Sequence, residues 1–270
     1  MSQQDCSSTI ALAPAQIFQK AVEVGTAKAT MPLVRLFALS VLAGLYIGMG
    51  GMFMLIVKAD SSLSFAASAL LSGLVFSLGL FAVLVAGAEL FTGNALLIIG
   101  KFRGSYGWPA ILRNWAVVYA GNLCGALLLA FFLKMANFAG LNGGAVGDAA
   151  LAVATAKCTL ATMPDALFFR ALMCNVLVCL GVWMGFAGKT VTDKLAAVAM
   201  PVCAFVACGF EHCVANMFFL PYAALLHAPG DVVSLGAICT NIGIATIGNI
   251  IGGSVVFAGL YLLAYGRDER

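Results

Sequence analysis

Gly87-Ala88-Glu89-Leu90-Phe91-Thr92-Gly93-Asn94 and Gly209-Phe210-Glu211-His212-Cys213-Val214-Ala215-Asn216 carry one pattern, G-x-E-x-x-x-x-N, inside two long apolar runs. A carboxylate at membrane depth is costly, so an ionisable residue inside an apolar span points to a functional site. Two such interruptions in corresponding halves of a chain point to a path built from broken helices, with the irregular backbone lining a cavity where lipid cannot reach it.

The surrounding sequence fixes the class. Of 270 residues, 63% are hydrophobic and 9% charged, and the mean hydropathy is +1.05. A soluble domain is about 25% charged, so this is a polytopic membrane protein. A net charge of +3 is too small to make a nucleic-acid surface. With two His and no Cys-x-x-Cys pair, a metal site is not expected, and no cofactor is called for. The Cys residues lie mostly in apolar runs and read as small packing residues, with Cys158 expected in a loop and open to reaction. The opening residues do not form a signal peptide. Residues 14–30 read as an amphipathic helix, on which Lys20 and Lys28 are placed to meet lipid headgroups.

Spans of about 20 apolar residues fall at 34–57, 65–100, 110–133, 167–188, 195–226 and 236–265. The second and fifth are too long for one straight crossing, and their breaks are expected at Glu89 and at Glu211-His212. Asn114, Gly121, Asn122 and Gly125 in the third span recur with the same spacing as Asn241, Gly248, Asn249 and Gly252 in the sixth. Gly44 and Gly48 in the first span are matched to Gly181 and Gly185 in the fourth. Such small-residue stripes let helix backbones approach closely. Three spans per half is an odd number, so the halves run in opposite senses. The expected fold is all-α, with six transmembrane helices in a 3+3 inverted repeat.

Orientation follows the positive charges. Lys20, Lys28, Arg35, Lys101, Arg103, Arg113, Lys189, Lys194, Arg267 and Arg270 fall at the termini and even loops, leaving Lys58, Lys134, Lys157 and Arg170 of the 14 Lys and Arg. Both termini are therefore placed in the cytoplasm, and a long loop at 134–165 carrying Lys157 outside. The organisation read is a cytoplasmic N-terminal segment, 1–32, a channel domain, 33–266, and a cytoplasmic tail, 267–270.

At the breaks, Asn94 and Asn216 read as N-caps of half-helices, whose positive ends favour an anion in the path. His212 titrates near neutral pH when unperturbed and offers a proton-exchanging group at mid-span. An ion entering an apolar constriction faces a large desolvation cost, which a weak-acid anion avoids by crossing as its neutral acid. Glu89 and Glu211 read first as carboxylates bonded to the broken loops, the alternative being a proton relay through Glu211 and His212. Thr92 offers a hydroxyl to an anion, to His212 or to its own backbone. Lys157 either attracts anions to the outer mouth or is a solvated loop charge. Asn175 bonds a neighbouring helix or faces the cavity, and Arg170 is expected to snorkel to the interface.

Four stretches, Glu89-Leu90-Phe91-Thr92-Gly93-Asn94, Asn175-Val176-Leu177-Val178-Cys179, Gly209-Phe210-Glu211-His212-Cys213-Val214-Ala215-Asn216-Met217 and Gly248-Asn249-Ile250-Ile251-Gly252-Gly253, resemble the formate/nitrite transporter family. The resemblance implies an aquaporin-like protomer in a homopentamer with one pore per protomer, in a bacterial or archaeal inner membrane. It implies as substrates small monovalent anions, among them formate, nitrite and hydrosulfide. By position it also implies a cytoplasmic constriction at Leu80 and Phe205, with Phe76 and Leu90 lining other apolar parts of the path, and an electrostatic role for Lys157. Cys213 departs from the family's frequent Ser. The Glu-Leu-Phe-Thr-Gly stretch is similar to nitrite and hydrosulfide members, and the Phe-Glu-His stretch to formate members. A neutral-solute channel would fit two half-helices, but the chain has Gly93-Asn94 and Ala215-Asn216 in place of an N-P-A pair. An intramembrane enzyme would need a second catalytic group beside His212, and none is evident.

Overall fold

A computed structural model describes residues 11–226 and 233–266. The tail at 267–270, with Arg267 and Arg270, lies outside the described residues, as does the start of the N-terminal segment. Helices and their connections make up the described residues, with no strand among them.

Helix α1 (Pro14–Ala29) begins with Pro at its first turn, where the missing N–H costs nothing. It is amphipathic, as expected, but its apolar face meets protein. Ile17, Phe18, Ala21, Gly25 and Ala29 are buried, and the Phe18 ring lies 6.4 Å from Trp183 and 6.2 Å from Tyr265.

Then come α2 (Leu33–Lys58), α3 (Phe65–Ala82) with a π-helical end at Val83–Gly87, a 3₁₀ turn (Gly93–Leu96) running into the short α4 (Leu97–Phe102), and α5 (Trp108–Met135). The second half has α6 (Ala145–Leu160), α7 (Pro164–Ala187), α8 (Val191–Ala207), α9 (Cys213–Leu226), α10 (Leu235–Ile250) with a π-helical continuation at Ile251–Ala258, and α11 (Gly259–Tyr265).

Five helical runs among the described residues are long and apolar enough to cross a membrane: Leu33–Lys58, Phe65–Gly87, Trp108–Met135, Pro164–Ala187 and Leu235–Tyr265. The expected run 195–226 is interrupted between α8 and α9, at the Glu211-His212 break the sequence marks. Val34, Phe65, Met200 and Leu263 are among the large apolar side chains turned outward. In water such a surface would aggregate; against lipid it costs nothing. The region 134–165 is not a loop: it is a 3₁₀ segment (Phe138–Gly144) followed by α6. Cys158 is buried there, which removes its expected reactivity.

Backbone contact holds the bundle. A Cβ on Gly44 would collide with the Asn122 carbonyl, one on Gly125 with that of Val41, and one on Gly252 with that of Leu172. So α2 rests on α5, and α10 on α7, at glycines. The hydrogen bonds also set the register between the halves, and it differs from the glycine match of the sequence. Asn122 Nδ2 donates to the carbonyls of Ser40 and Glu89, and Asn249 Nδ2 to those of Ala171 and Glu211. Position 40 thus answers to 171, and Gly44 answers to Asn175, not to Gly181. Where α2 needs a glycine to let the Asn122 carbonyl in, Asn175 donates to the Asn249 carbonyl at 2.6 Å.

Candidate functional site

Both copies of the repeated pattern sit where helices break. After the π-helical end of α3, Gly87 takes φ +81° and the chain runs extended at Ala88. After α8, Gly209 takes φ +65°. These left-handed conformations favour glycine, so the first letter of G-x-E-x-x-x-x-N is the break itself.

The freed backbone is bonded in the same way at both places. Glu89 N–H donates to the Leu39 carbonyl at 3.1 Å, and Glu211 N–H to that of Arg170 at 3.4 Å. Phe91 N–H donates to Asn122 Oδ1, and Cys213 N–H to Asn249 Oδ1, both at 2.9 Å. Each of these two Asn side chains satisfies one amide and one carbonyl of a broken loop that would otherwise be buried without partners, and ties the loop to a helical carbonyl, that of Ser40 or Ala171. Their recurrence was visible in the sequence, but their role was not read there.

Each carboxylate has a lysine. Lys28 Nζ lies 3.1 Å from Glu89 Oε1 and 2.8 Å from Asn94 Oδ1. Lys157 Nζ lies 2.9 and 3.0 Å from the two Glu211 oxygens. Asn94 Nδ2 donates to Glu89 and to Asn114 Oδ1; Asn216 Nδ2 donates to Glu211 and to Asn241 Oδ1. Asn114 and Asn241 then donate to the backbone carbonyls of Lys28 and Lys157. Lys28 therefore points into the protein and not to lipid headgroups, because the buried Glu89 needs a counter-charge. Lys157 is likewise no solvated loop charge: its side chain is 13% exposed. The expected capping role of Asn94 and Asn216 is not what their side chains do. Asn94 lies within the 3₁₀ turn, Asn216 in the first turn of α9, and both amides bind side chains.

The N-terminal amide of α9 is instead taken by His212, whose Nδ1 accepts from Ala215 N–H at 3.1 Å. That bond fixes the ring: with Nδ1 an acceptor, a singly protonated imidazole carries its hydrogen on Nε2. His212 Nε2 lies 2.9 Å from Thr92 Oγ1, so Nε2–H donates to Thr92 and the Thr92 hydroxyl keeps its own hydrogen to donate. Thr92 and His212 are both buried. Asn175 Nδ2 donates to the Thr92 carbonyl at 3.2 Å, and its Oδ1 has no partner among the described residues.

Leu80 and Leu90 share the wall of a cavity of about 430 Å³ that Lys20, Lys28, Arg35 and Lys194 also line, with Glu89 its one acidic wall residue. Phe76 and Phe205 meet edge to face at 5.8 Å, and Phe205 stacks on the His212 ring at 5.9 Å. No group of three or more His, Cys, Asp or Glu that could hold a metal occurs among the described residues.

A sequence family described as "Formate/nitrite transporter" matches residues 15–263. The chain is 33% identical to "Formate channel FocA" of Escherichia coli (strain K12), covering 96% of both chains. It is 34% identical to the protein of the same name from Haemophilus influenzae, covering 92% of this chain and 93% of the relative. It is also similar to a solved "Pentameric formate channel with formate bound", at 36% identity and a TM-score of 0.79, over 87% of this chain and 98% of that one. These relatives are named channels, not enzymes. The chain belongs to the formate/nitrite transporter family.

Proposed function

We propose that this protein is a channel for small monovalent weak-acid anions, formate first among them, with nitrite and hydrosulfide as the alternatives. The observation that carries this reading is the buried Thr92–His212 hydrogen bond. It joins the two helix breaks and offers one free hydroxyl hydrogen beside two pairs of apolar side chains. A carboxylate-sized anion that reaches it exchanges water for that donor, while Leu80, Leu90, Phe76 and Phe205 exclude hydrated ions. The relatives' names add the substrate class.

The proton step is part of the proposal. Water supplies a second proton to Nδ1 of His212, which forfeits the bond from Ala215 N–H, and the ring hands its Nε2 proton through the Thr92 hydroxyl to the anion, keeping the hydrogen on Nδ1. The anion then leaves as its neutral acid, and the ring regains its Nε2–H form, with Nδ1 again accepting from Ala215 N–H, once water returns a proton to Nε2 and takes the one on Nδ1. In the same reading, α8 and α9 form one interrupted crossing, giving six crossings in a 3+3 inverted repeat. Both termini lie in the cytoplasm, and five protomers assemble in the inner membrane. The division into an N-terminal segment to residue 32, a channel domain to 266 and a short tail goes with it.

The test is flux into vesicles containing the purified protein. Formate uptake is expected to fall at least about tenfold in His212→Phe, a loss of about 1.4 kcal/mol or more in barrier terms, with formate competing better than nitrite or hydrosulfide. Unchanged uptake in His212→Phe would remove the proton step; stronger competition by nitrite or hydrosulfide would reassign the substrate.

A further inference from the structure

Lys157 was the sequence's candidate for drawing anions to the second mouth, but its ammonium is committed. Both Glu211 oxygens lie within 3.0 Å, and the Nζ sits 5.7 Å over the Phe219 ring. A cation whose charge is cancelled at contact distance projects little field into a vestibule. Arg170 is different. Its side chain is exposed, and no ion pair holds it among the described residues. It lies about 9 Å along α7 from the helix start by rise alone.

The backbone places this guanidinium at the break. Arg170 supplies the carbonyl that accepts Glu211 N–H, as Leu39 does for Glu89 N–H. Leu39 and Gly87 both line the cavity at the first break, so position 170 holds the corresponding place at the second. Arg170 Nη1 lies 3.9 Å from where a Cβ on Gly209 would sit, the nearest heavy atom to that point. The first mouth draws its positive charge from Lys20, Arg35 and Lys194 on three other elements; the second has this guanidinium beside its positive-φ glycine.

We propose that Arg170 is the residue that recruits the anion to the second break, a task its guanidinium suits because it stays charged at any working pH. The proposal rests on the channel reading above. Its role is electrostatic capture, so it acts on how much anion is needed and not on how fast a bound anion passes.

The test is initial anion uptake into vesicles, measured against formate concentration at low and high ionic strength. Arg170→Gln is expected to raise the half-saturating concentration about three- to tenfold at low salt, one residue's share of a whole-site focusing of about 10–10³. Maximal flux should not change. At about 1 M salt, where screening acts within about 3 Å, the difference should shrink toward none. Arg170→Lys, keeping the charge, should recover most of the low-salt affinity, and Lys157→Gln should not reproduce this salt-dependent pattern. Equal half-saturation for Arg170→Gln and wild type at low salt, with wild type conducting, would overturn the assignment alone. A fall in maximal flux at both salts that Arg170→Lys does not rescue would reduce Arg170 to a structural role. Wild-type vesicles that pass no anion would remove the channel reading and this assignment together.

Discussion

The two helix breaks share a frame and differ in what they hold. In each, a glutamate takes a lysine, an Asn five residues on binds that glutamate, and an Asn from a distant helix clamps the loop. The difference lies in the residue after the glutamate. At the first break it is Leu90, an apolar wall. At the second it is His212, which takes up an α9 amide and reaches Thr92. Thr92 itself answers to Val214 in the second copy. The repeat supplies two equal scaffolds, and one polar substitution in each, at non-equivalent positions, makes the central pair.

The largest effects are expected where the frames are most alike. Asn122→Leu and Asn249→Leu each strip partners from one amide and two carbonyls. The helical carbonyl of Ser40 or Ala171 keeps its own backbone partner, so two groups are left bare, and at about 1–3 kcal/mol per buried unsatisfied group each variant should cost about 2–6 kcal/mol. Thermal unfolding in detergent should show both variants equally destabilised. A large inequality would break the claim that the frames are equivalent.

The lysines come next. Removing one partner of a buried pair costs about 3–5 kcal/mol. Lys157→Met should reach only the lower end of that range, because its side chain keeps 13% exposure, against 23% for Lys28. Lys28→Met should cost less. Pairing Lys157→Met with Glu211→Leu should recover much of the loss, since no lone buried charge remains. The reverse ranking of the two lysines would show that exposure does not set the difference.

His212→Asn separates the two tasks of the histidine. Asn accepts well at a helix N-cap, so stability should change by less than about 1 kcal/mol, the usual worth of a cap. Anion flux should nevertheless fall, because Asn cannot relay a proton. Retained flux would place the function elsewhere.

The smallest difference concerns the helix that leads into each break. The start of α3 is capped by Ser64, which does not titrate, and that of α8 by Thr190 together with Asp193. The Thr190 backbone amide, then its hydroxyl and the Lys189 amide, hold the Asp193 carboxyl below its ordinary value. A carboxyl lowered in the folded state stabilises above its unfolded value of about 3.9, and that contribution is lost as pH falls through the folded one. Amide exchange in the first turn of α8 should speed up in that acid range relative to α3. Parallel behaviour of the two helices would show that the carboxylate adds nothing to the cap.

Much of this was legible in the sequence because membrane helices announce themselves by length and apolar content. The four unbroken spans match helical runs to within a few residues, and the two breaks fall beside the carboxylates that mark them. The Asn and Gly spacing of α5 and α10 was read as a repeat. Less legible were the partners. Lys28 looked like a headgroup anchor because a lysine on an amphipathic helix satisfies that pattern, and nothing local says that Glu89, 61 residues away, needs its charge. Lys157 looked like a loop residue because α6 is short and only moderately apolar. The glycine match of the first and fourth spans was off register, since Gly44 is answered by Asn175 and no spacing rule pairs a glycine with an amide.

The sequence by itself determined that this chain lives in lipid, where it breaks, and that each break carries a carboxylate and an amide at fixed spacing. Those are one-dimensional properties, set by hydropathy and by the backbone freedom of Gly87 and Gly209. The tertiary structure decided which lysine neutralises which glutamate, that His212 caps α9 through Nδ1, and that Nε2 therefore faces Thr92, 120 residues away. A buried polar group must find a partner wherever the fold brings one, and that distance in space is not written in the distance along the chain.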